Sequence, residues 1–388
     1  LIQPFDSALN TMHLPPFVKY TVALVFLAAI LQNILWHVLY RTSNTPLDPA
    51  VGNTRLTKTP YLLPFYNTKR ILVVGGTRGI GRGMALALAQ QGASVTIVGR
   101  QGSHGGQDTV ARLQATTTLS TSTSTPELKF IPADLSTLHG VFALATKLHY
   151  AHGQFDEVVF TINQFPNPLD PTTTDGHDRS IGIGVLARFV LLRRLVETRL
   201  LAHGARILSI CASTKTEVLP PSWGRVQSIL NRQQHFDGSI ASFMATMGTM
   251  SYVHDTMVQV FAKKYKGLTL IGMHPGFVVT DLMQNTIFPQ WCLPWLKRCM
   301  APFSRSEKEI GWIGVQVLAS PNVDKLEREY DQGRGQGRKG KYLYLNSLGE
   351  GRQSLPETYD VERQEWVEQW FDQVFEEGMQ GMKGGSSE

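Results

Sequence analysis

From Lys69 onward, apolar positions come in short continuous runs that alternate with segments of helical period. "RILVVGG" and "SVTIVGR" read as buried strands, and "GRGMALALAQQG" between them reads as a helix closed by Gly92. The pattern repeats. "QDTVARLQA" is helical, "ELKFIPADL" a third strand, "TLHGVFALATKLHYAHG" amphipathic and "FDEVVFTI" a fourth strand. "RSIGIGVLARFVLLRRLVETRLL" predicts a long helix and "ARILSICAS" a fifth strand. "ASFMATMGTMSYVHDTMVQVFAKKY" predicts a second long helix and "LTLIGMHPG" a sixth strand. Strands that are apolar throughout, each followed by a helix, predict an α/β fold with a parallel sheet covered on both faces.

The flanks differ. "YTVALVFLAAILQNILWHVLY" (20–40) holds no Asp, Glu, Lys or Arg and is bracketed by Lys19 and Arg41. About 20 apolar residues cross a bilayer, so 20–40 is expected to be a single membrane anchor after a short N-terminal segment, 1–19. More basic residues follow the run than precede it, which places the main domain on the cytosolic side. The chain starts at Leu1 rather than Met, so a missing or processed N-terminus is expected. Residues 41–68 are rich in Pro, Thr and Asn and read as a linker to the main domain, 69–320. "TTTLSTSTSTP" (116–126) reads as a solvated insertion. In the C-terminal extension, 321–388, "GKYLYLNSLG" is strand-like and "DVERQEWVEQWFDQVFEE" is an amphipathic helix. Its Trp366, Trp370 and Phe371 are expected to dock the tail on the domain.

Composition narrows the classes. With 42% hydrophobic and 18% charged residues the chain is globular, and a net charge of +6 is mild for 388 residues. No Arg-rich tract with interleaved aromatics points to nucleic acid. Cys211, Cys292 and Cys299 form neither a disulfide framework nor a metal spacing, so no metal is expected.

The chemistry begins at "GGTRGIG". Gly75, Gly79 and Gly81 sit between a buried strand and a helix. Glycines there permit a tight turn and close approach of the backbone to a pyrophosphate, which the helix N-terminus then holds. Thr77 and Ile80 complete the turn. NAD sites place a carboxylate at the end of the second strand, on the ribose hydroxyls. Here that position is Gly99, followed by Arg100, and Arg78 lies inside the turn. Two guanidinium groups without a carboxylate suit the 2′-phosphate of NADP(H).

From 69 to about 320 the chain resembles the short-chain dehydrogenase/reductase family, and within it the fungal-type members with a long fourth helix. "GGTRGIG", Asp134 in "PADL" and "HPGFVVT" (274–280), with Pro275 and Gly276, carry the likeness. The resemblance implies a Rossmann-like, doubly wound sheet. It places Asp134 at the adenine, Ile162 and Asn163 near the adenosine ribose, and Thr280 at the nicotinamide carboxamide.

The resemblance also implies a Tyr-x-x-x-Lys pair before the sixth strand, a serine after the fifth strand and an asparagine on the long helix. Counting back from Pro275 puts the pair at Ala245 and Thr249, the serine at Ala212 or Ser213, and the asparagine near Gly184. None of the eleven tyrosines has lysine four residues on. Tyr252, His254 or Asp255 could replace the missing acid, and Ser209, Ser213 or Lys215 could support slow reduction; Ser213 and Tyr252 are the catalytic candidates. Two readings stay open: a membrane-anchored NADP(H) oxidoreductase of an apolar carbonyl or alcohol, and a non-catalytic NADP(H)-binding scaffold or regulator. After Thr280, Phe288, Trp291, Leu293, Trp295 and Leu296 beside Lys297 and Arg298 form an apolar, basic-rimmed patch suited to a small apolar substrate or a bilayer surface. A homo-oligomer is a further expectation.

Overall fold

A computed structural model describes residues 66–100, 105–117, 126–151, 153–211, 222–276, 278, 298, 305–320, 323, 342–345 and 360–384. All of them belong to one compact unit, Ala50–Glu388. The anchor at 20–40, the insertion at 118–125, Ser213, Lys215, Thr280 and the patch at 288–297 lie outside the described residues. Among the described residues no helix is long and apolar enough to cross a membrane.

The predicted alternation is present. In chain order come β1 (Arg70–Val74), α1 (Gly79–Gln90), β2 (Ser94–Gly99), α2 (Gly105–Thr117), β3 (Leu128–Pro132), α3 (Leu138–Ala151) and β4 (Phe155–Phe160). An α-turn, Arg179–Ile181, and a π-helical turn, Gly182–Leu186, run into α4 (Ala187–Glu197). Then follow β5 (Leu201–Ile210), α5 (Trp223–Leu230), α6 (Ile240–Lys264), β6 (Thr269–Met273), α7 (Glu307–Ala319), β7 (Tyr342–Leu345) and α8 (Val361–Gly384). The strands form one seven-stranded sheet in the order β3-β2-β1-β4-β5-β6-β7. Every pairing is parallel.

Strand alternation sends side chains to opposite faces, and each face has its own core. Leu72, Val74, Val158 and Phe160 meet α3, α4, α6 and α8 on one side. Ile71, Val73, Ile97 and Leu208 meet α1 and α7 on the other. Reversal of strand order between β1 and β4 opens the crevice at the carboxyl ends of the strands, where doubly wound sheets bind their ligands.

Four expectations change. The long helix is interrupted by the π-turn at Gly182–Leu186. The fifth strand begins at Leu201, earlier than "ARILSICAS" indicated. Tyr66, read as linker, is fully buried and its hydroxyl donates to Val315 O at 2.8 Å. The boundary at 320 does not divide the fold, because β7 is the seventh strand of the same sheet. The tail helix α8 buries Val367, Trp370, Phe371, Val374 and Phe375. Trp370 Nε1 donates to Leu230 O at 3.1 Å, and Arg193 pairs with Asp372 at 2.7 Å.

Candidate cofactor site and its neighbours

β1 delivers the chain to the crevice and the glycines turn it into α1. Gly75 has φ +93° and Gly79 φ +57°, backbone that L side chains rarely adopt. The Gly75 and Gly76 amides both donate to Val98 O, at 2.9 and 3.2 Å, which ties the turn to the end of β2. A Cβ at Gly81 would lie 2.3 Å from Gly75 O, so the turn closes only over glycine. Arg78 is the N-cap residue of α1, in extended backbone, with no side-chain cap and no acidic residue in the first turn. The first turn of α1 thus adds no acidic side chain of its own to the positive end that its N–H groups present to the crevice. A cradle that any Cβ would fill, at a helix N-terminus, fits a dinucleotide pyrophosphate.

Thr77 is buried and packs on Gly99, where a Cβ would come within 2.4 Å of Thr77 Cγ2. Thr109 Oγ1 donates to Thr77 O at 3.2 Å and holds this side of the turn. Arg78, beside the half-buried Ile80, and Arg100 are both exposed at the rim. Ala133 N donates to Gly99 O at 2.8 Å, which brings the Asp134 and Arg100 loops side by side. Asp134 is exposed and its Oδ1 accepts from Ser136 N at 2.9 Å and from Ser136 Oγ at 2.7 Å.

The floor of the turn is the segment after β4. A Cβ on Gly75 would meet Thr161 Oγ1 at 2.7 Å and Ile162 N at 3.0 Å. Thr161 Oγ1 donates to Val74 O at 3.1 Å. Asn163 is turned toward the π-turn: its Oδ1 lies 3.0 Å from where a Cβ on Gly184 would stand and 4.0 Å from Cys211 Sγ. The amide of Asn163 thus reaches the spot that a side chain at 184 would occupy, and Met250 Sδ borders the same spot at 2.8 Å. Pro275 and Gly276 follow β6 after His274, with Gly276 at φ +69°.

Tyr252 does not join this group. It is 3% exposed and its ring stacks edge-on against Trp223 at 5.9 Å, with Trp223 against Trp366 of α8 at 5.3 Å. The helix explains the orientation. His254 faces β5, and two residues are about 200° of turn, so Tyr252 points away from the sheet into the aromatic layer. Burial raises the Tyr252 hydroxyl above the usual tyrosine range, and Arg363 pulls it back. That placement corrects the candidate acid.

His254 and Asp255, the other candidates, are locked inside the core at 1% and 0% exposure. His254 Nε2 meets Ser209 Oγ at 2.8 Å and His254 Nδ1 meets Asp255 Oδ1 at 3.1 Å. Arg188 NH1 donates to Ser209 Oγ at 2.8 Å, and its NH2 donates to Ile162 O. Arg188 is 1% exposed. The sequence reading named Ser209, His254 and Asp255 singly and missed Arg188. The signal was there: Arg188 falls on the apolar stripe with Val185, Leu192 and Leu195, where a surface arginine does not belong. At the expected catalytic positions, Ala245 is half-buried, and Thr249 is fully buried with no hydrogen-bond partner for Oγ1 among the described residues.

Residues 69–222 match the family model described as short chain dehydrogenase. The chain is similar to polyprenol dehydrogenase of Mus musculus, 24% identical over 285 residues, 70% of this chain and 77% of the relative. It is also similar to retinol dehydrogenase 12 of Mus musculus, 22% identical over 265 residues, 68% of this chain and 77% of the relative. Among solved structures it aligns with a short chain dehydrogenase from Burkholderia cenocepacia J2315 in complex with NADP, at 23% identity and TM-score 0.47, covering 72% of this chain and 97% of that one.

Proposed function

Residues 69–222 make this chain a member of the short chain dehydrogenase family, and on that premise we propose that it is an NADP(H)-dependent oxidoreductase of an apolar alcohol or its carbonyl. The observation that carries the reading is the glycine cradle on the N-terminus of α1, with Thr77 filling the space at Gly99 and arginines at 78 and 100 on the rim. Bound there, the nicotinamide cofactor supplies or accepts hydride. Gly75, Gly79 and Gly81 let the backbone approach the pyrophosphate, and the α1 amides hold its charge. Arg78 and Arg100 face the 2′-phosphate with charge-assisted hydrogen bonds. Asp134, Asn163, Pro275, Gly276 and Thr280 complete the cofactor contacts by family likeness.

Relatives named for polyprenol and retinol support an isoprenoid-like apolar substrate. The apolar run at 20–40 supports a membrane anchor with the main domain in the cytosol, where such a substrate would be met. A homo-oligomer is part of the same proposal.

A second reading rests on one observation. Ala245 and Thr249 stand where the family's proton-transfer pair is expected; Ala245 has no transferable proton and Thr249 is fully buried. On that reading the chain binds NADP(H) as a scaffold or regulator. Ser213, in the segment after β5, is the remaining candidate for holding a substrate oxygen. NADPH consumption with all-trans-retinal separates the readings: turnover abolished by Ser213→Ala supports the enzyme, and cofactor binding with no turnover supports the scaffold.

A further inference from the structure

The buried hydrogen bonds around Arg188 run in one direction. Arg188 can only donate, so Ser209 Oγ accepts from it at 2.8 Å. Ser209 Oγ also meets His254 Nε2 at 2.8 Å, and His254 Nδ1 meets the Asp255 carboxylate at 3.1 Å. Arginine, serine, imidazole and carboxylate form a relay in which each member polarises the next. The relay balances the buried guanidinium with a carboxylate at the far end, on a different helix. Burial lowers Arg188 from its ordinary value, and Cys211 pulls it back up.

The free end of that guanidinium carries the consequence. Arg188 NH2 donates to Ile162 O, and NH1 also approaches Phe160 O at 3.5 Å, at the end of β4. Thr161 and Ile162 are the residues on which the glycine turn rests: Cβ positions at Gly75 and Gly81 would come within 2.7 and 2.4 Å of Thr161 Oγ1. Thr161 N and Oγ1 both donate to Val74 O, at 2.9 and 3.1 Å, so a shift of this segment reaches the residue that leads into Gly75.

We propose that Arg188 is a positioning residue of the cofactor site: oriented by Ser209, His254 and Asp255, it grips the Ile162 carbonyl and fixes the 161–163 segment that floors the glycine turn. The inference rests on the proposed NADP(H) reading for its purpose, and on the hydrogen bonds alone for its mechanics. It gives the buried polar cluster of α4, β5 and α6 a role that neither Tyr252 nor the family's usual pair fills.

The test uses the full chain and Arg188→Met, which keeps an apolar stem and removes the guanidinium; it leaves the buried Asp255 carboxylate without its counter-charge and is expected to destabilise the chain, so the readout is local rather than global. Amide hydrogen exchange at 161–163 and 75–81 should accelerate about tenfold, the loss of a hydrogen bond to a charged group. Exchange in α8 should accelerate less than in these two segments, however far the unfolding midpoint falls. NADPH should bind about tenfold more weakly, whereas Val374→Ala in α8, matched for stability loss, should leave binding unchanged. Should Arg188→Met not fold, Ser209→Ala is expected to accelerate the same two segments, and Arg188→Lys to rescue them only in part, since an ammonium lacks the planar fork. Unchanged exchange at 161–163, equal acceleration across the whole sheet, or accelerated exchange with unchanged NADPH affinity would each overturn the proposal. If the wild-type chain binds neither NADPH nor NADH, the functional reading fails and the exchange measurement alone decides the mechanics.

Discussion

Thr77 occupies the space of a side chain at Gly99: a Cβ placed there would lie 2.4 Å from Thr77 Cγ2 and 2.9 Å from Thr77 Oγ1. The end of β2 is where a carboxylate would read the ribose hydroxyls of NAD. In this chain that position is closed by packing as well as lacking an acid. Gly99→Asp should therefore weaken both NADPH and NADH, because the new side chain must first displace Thr77. The double variant Thr77→Gly with Gly99→Asp should recover NADH. Fluorescence titration of both cofactors checks this, and tight NADH binding by Gly99→Asp alone contradicts it.

Arg100 sits at the exposed rim just beyond β2. Arg100→Ala should weaken NADPH about tenfold and leave NADH nearly unchanged, since only NADPH carries the 2′-phosphate. Calorimetric titration with equal loss for both cofactors would remove the arginine from the argument.

Thr249 carries a fully buried hydroxyl that finds no partner among the described residues. Thr249→Val keeps the shape and removes the unmet polar group, so the chain should gain about 1 kcal/mol. Thr249→Lys should instead destabilise, because it buries a charge without a partner. Chemical denaturation of both variants reads the sign, and a loss in Thr249→Val would show that the hydroxyl is bonded in solution.

Glu157, in β4, is 1% exposed, and burial pushes its carboxyl up from 4.5 to about 8, with Arg206 and Lys69 pulling it down and Asp156 pushing it up. Between those values the unfolded chain has released the proton that the folded chain keeps. Stability must then fall as pH rises from 4.5 to about 8, and level off above. Glu157→Gln should flatten that slope and raise stability at pH 8 by up to about 4 kcal/mol. Unfolding midpoints across this range that fall equally in both proteins would contradict the assignment.

Apolar runs such as Ile71–Val74 and Val158–Phe160 are buried on both faces, so their strands were legible without any partner in view. The glycine turn was legible because its backbone excludes other residues at Gly75 and Gly81. What escaped depends on contacts distant in sequence. Tyr66 looks like linker until Val315, 249 residues away, accepts its hydroxyl. The π-turn at Gly182–Leu186 changes the hydrogen-bond span without changing the apolar pattern. Tyr252 was a reasonable acid by proximity in sequence to position 249, but helix rotation turns it toward Trp223. Arg188 could be seen as misplaced on an apolar stripe, yet its partners Ser209 and Ile162 come from two other segments.

The central claim is that the cradle at Gly75–Gly81 holds NADP(H). Titrating the wild-type chain with NADPH and with NADH under identical salt tests it most directly. The account predicts saturable binding of both, with NADPH at least about tenfold tighter. No saturable binding of either nucleotide, or equal affinity for the two, would contradict it.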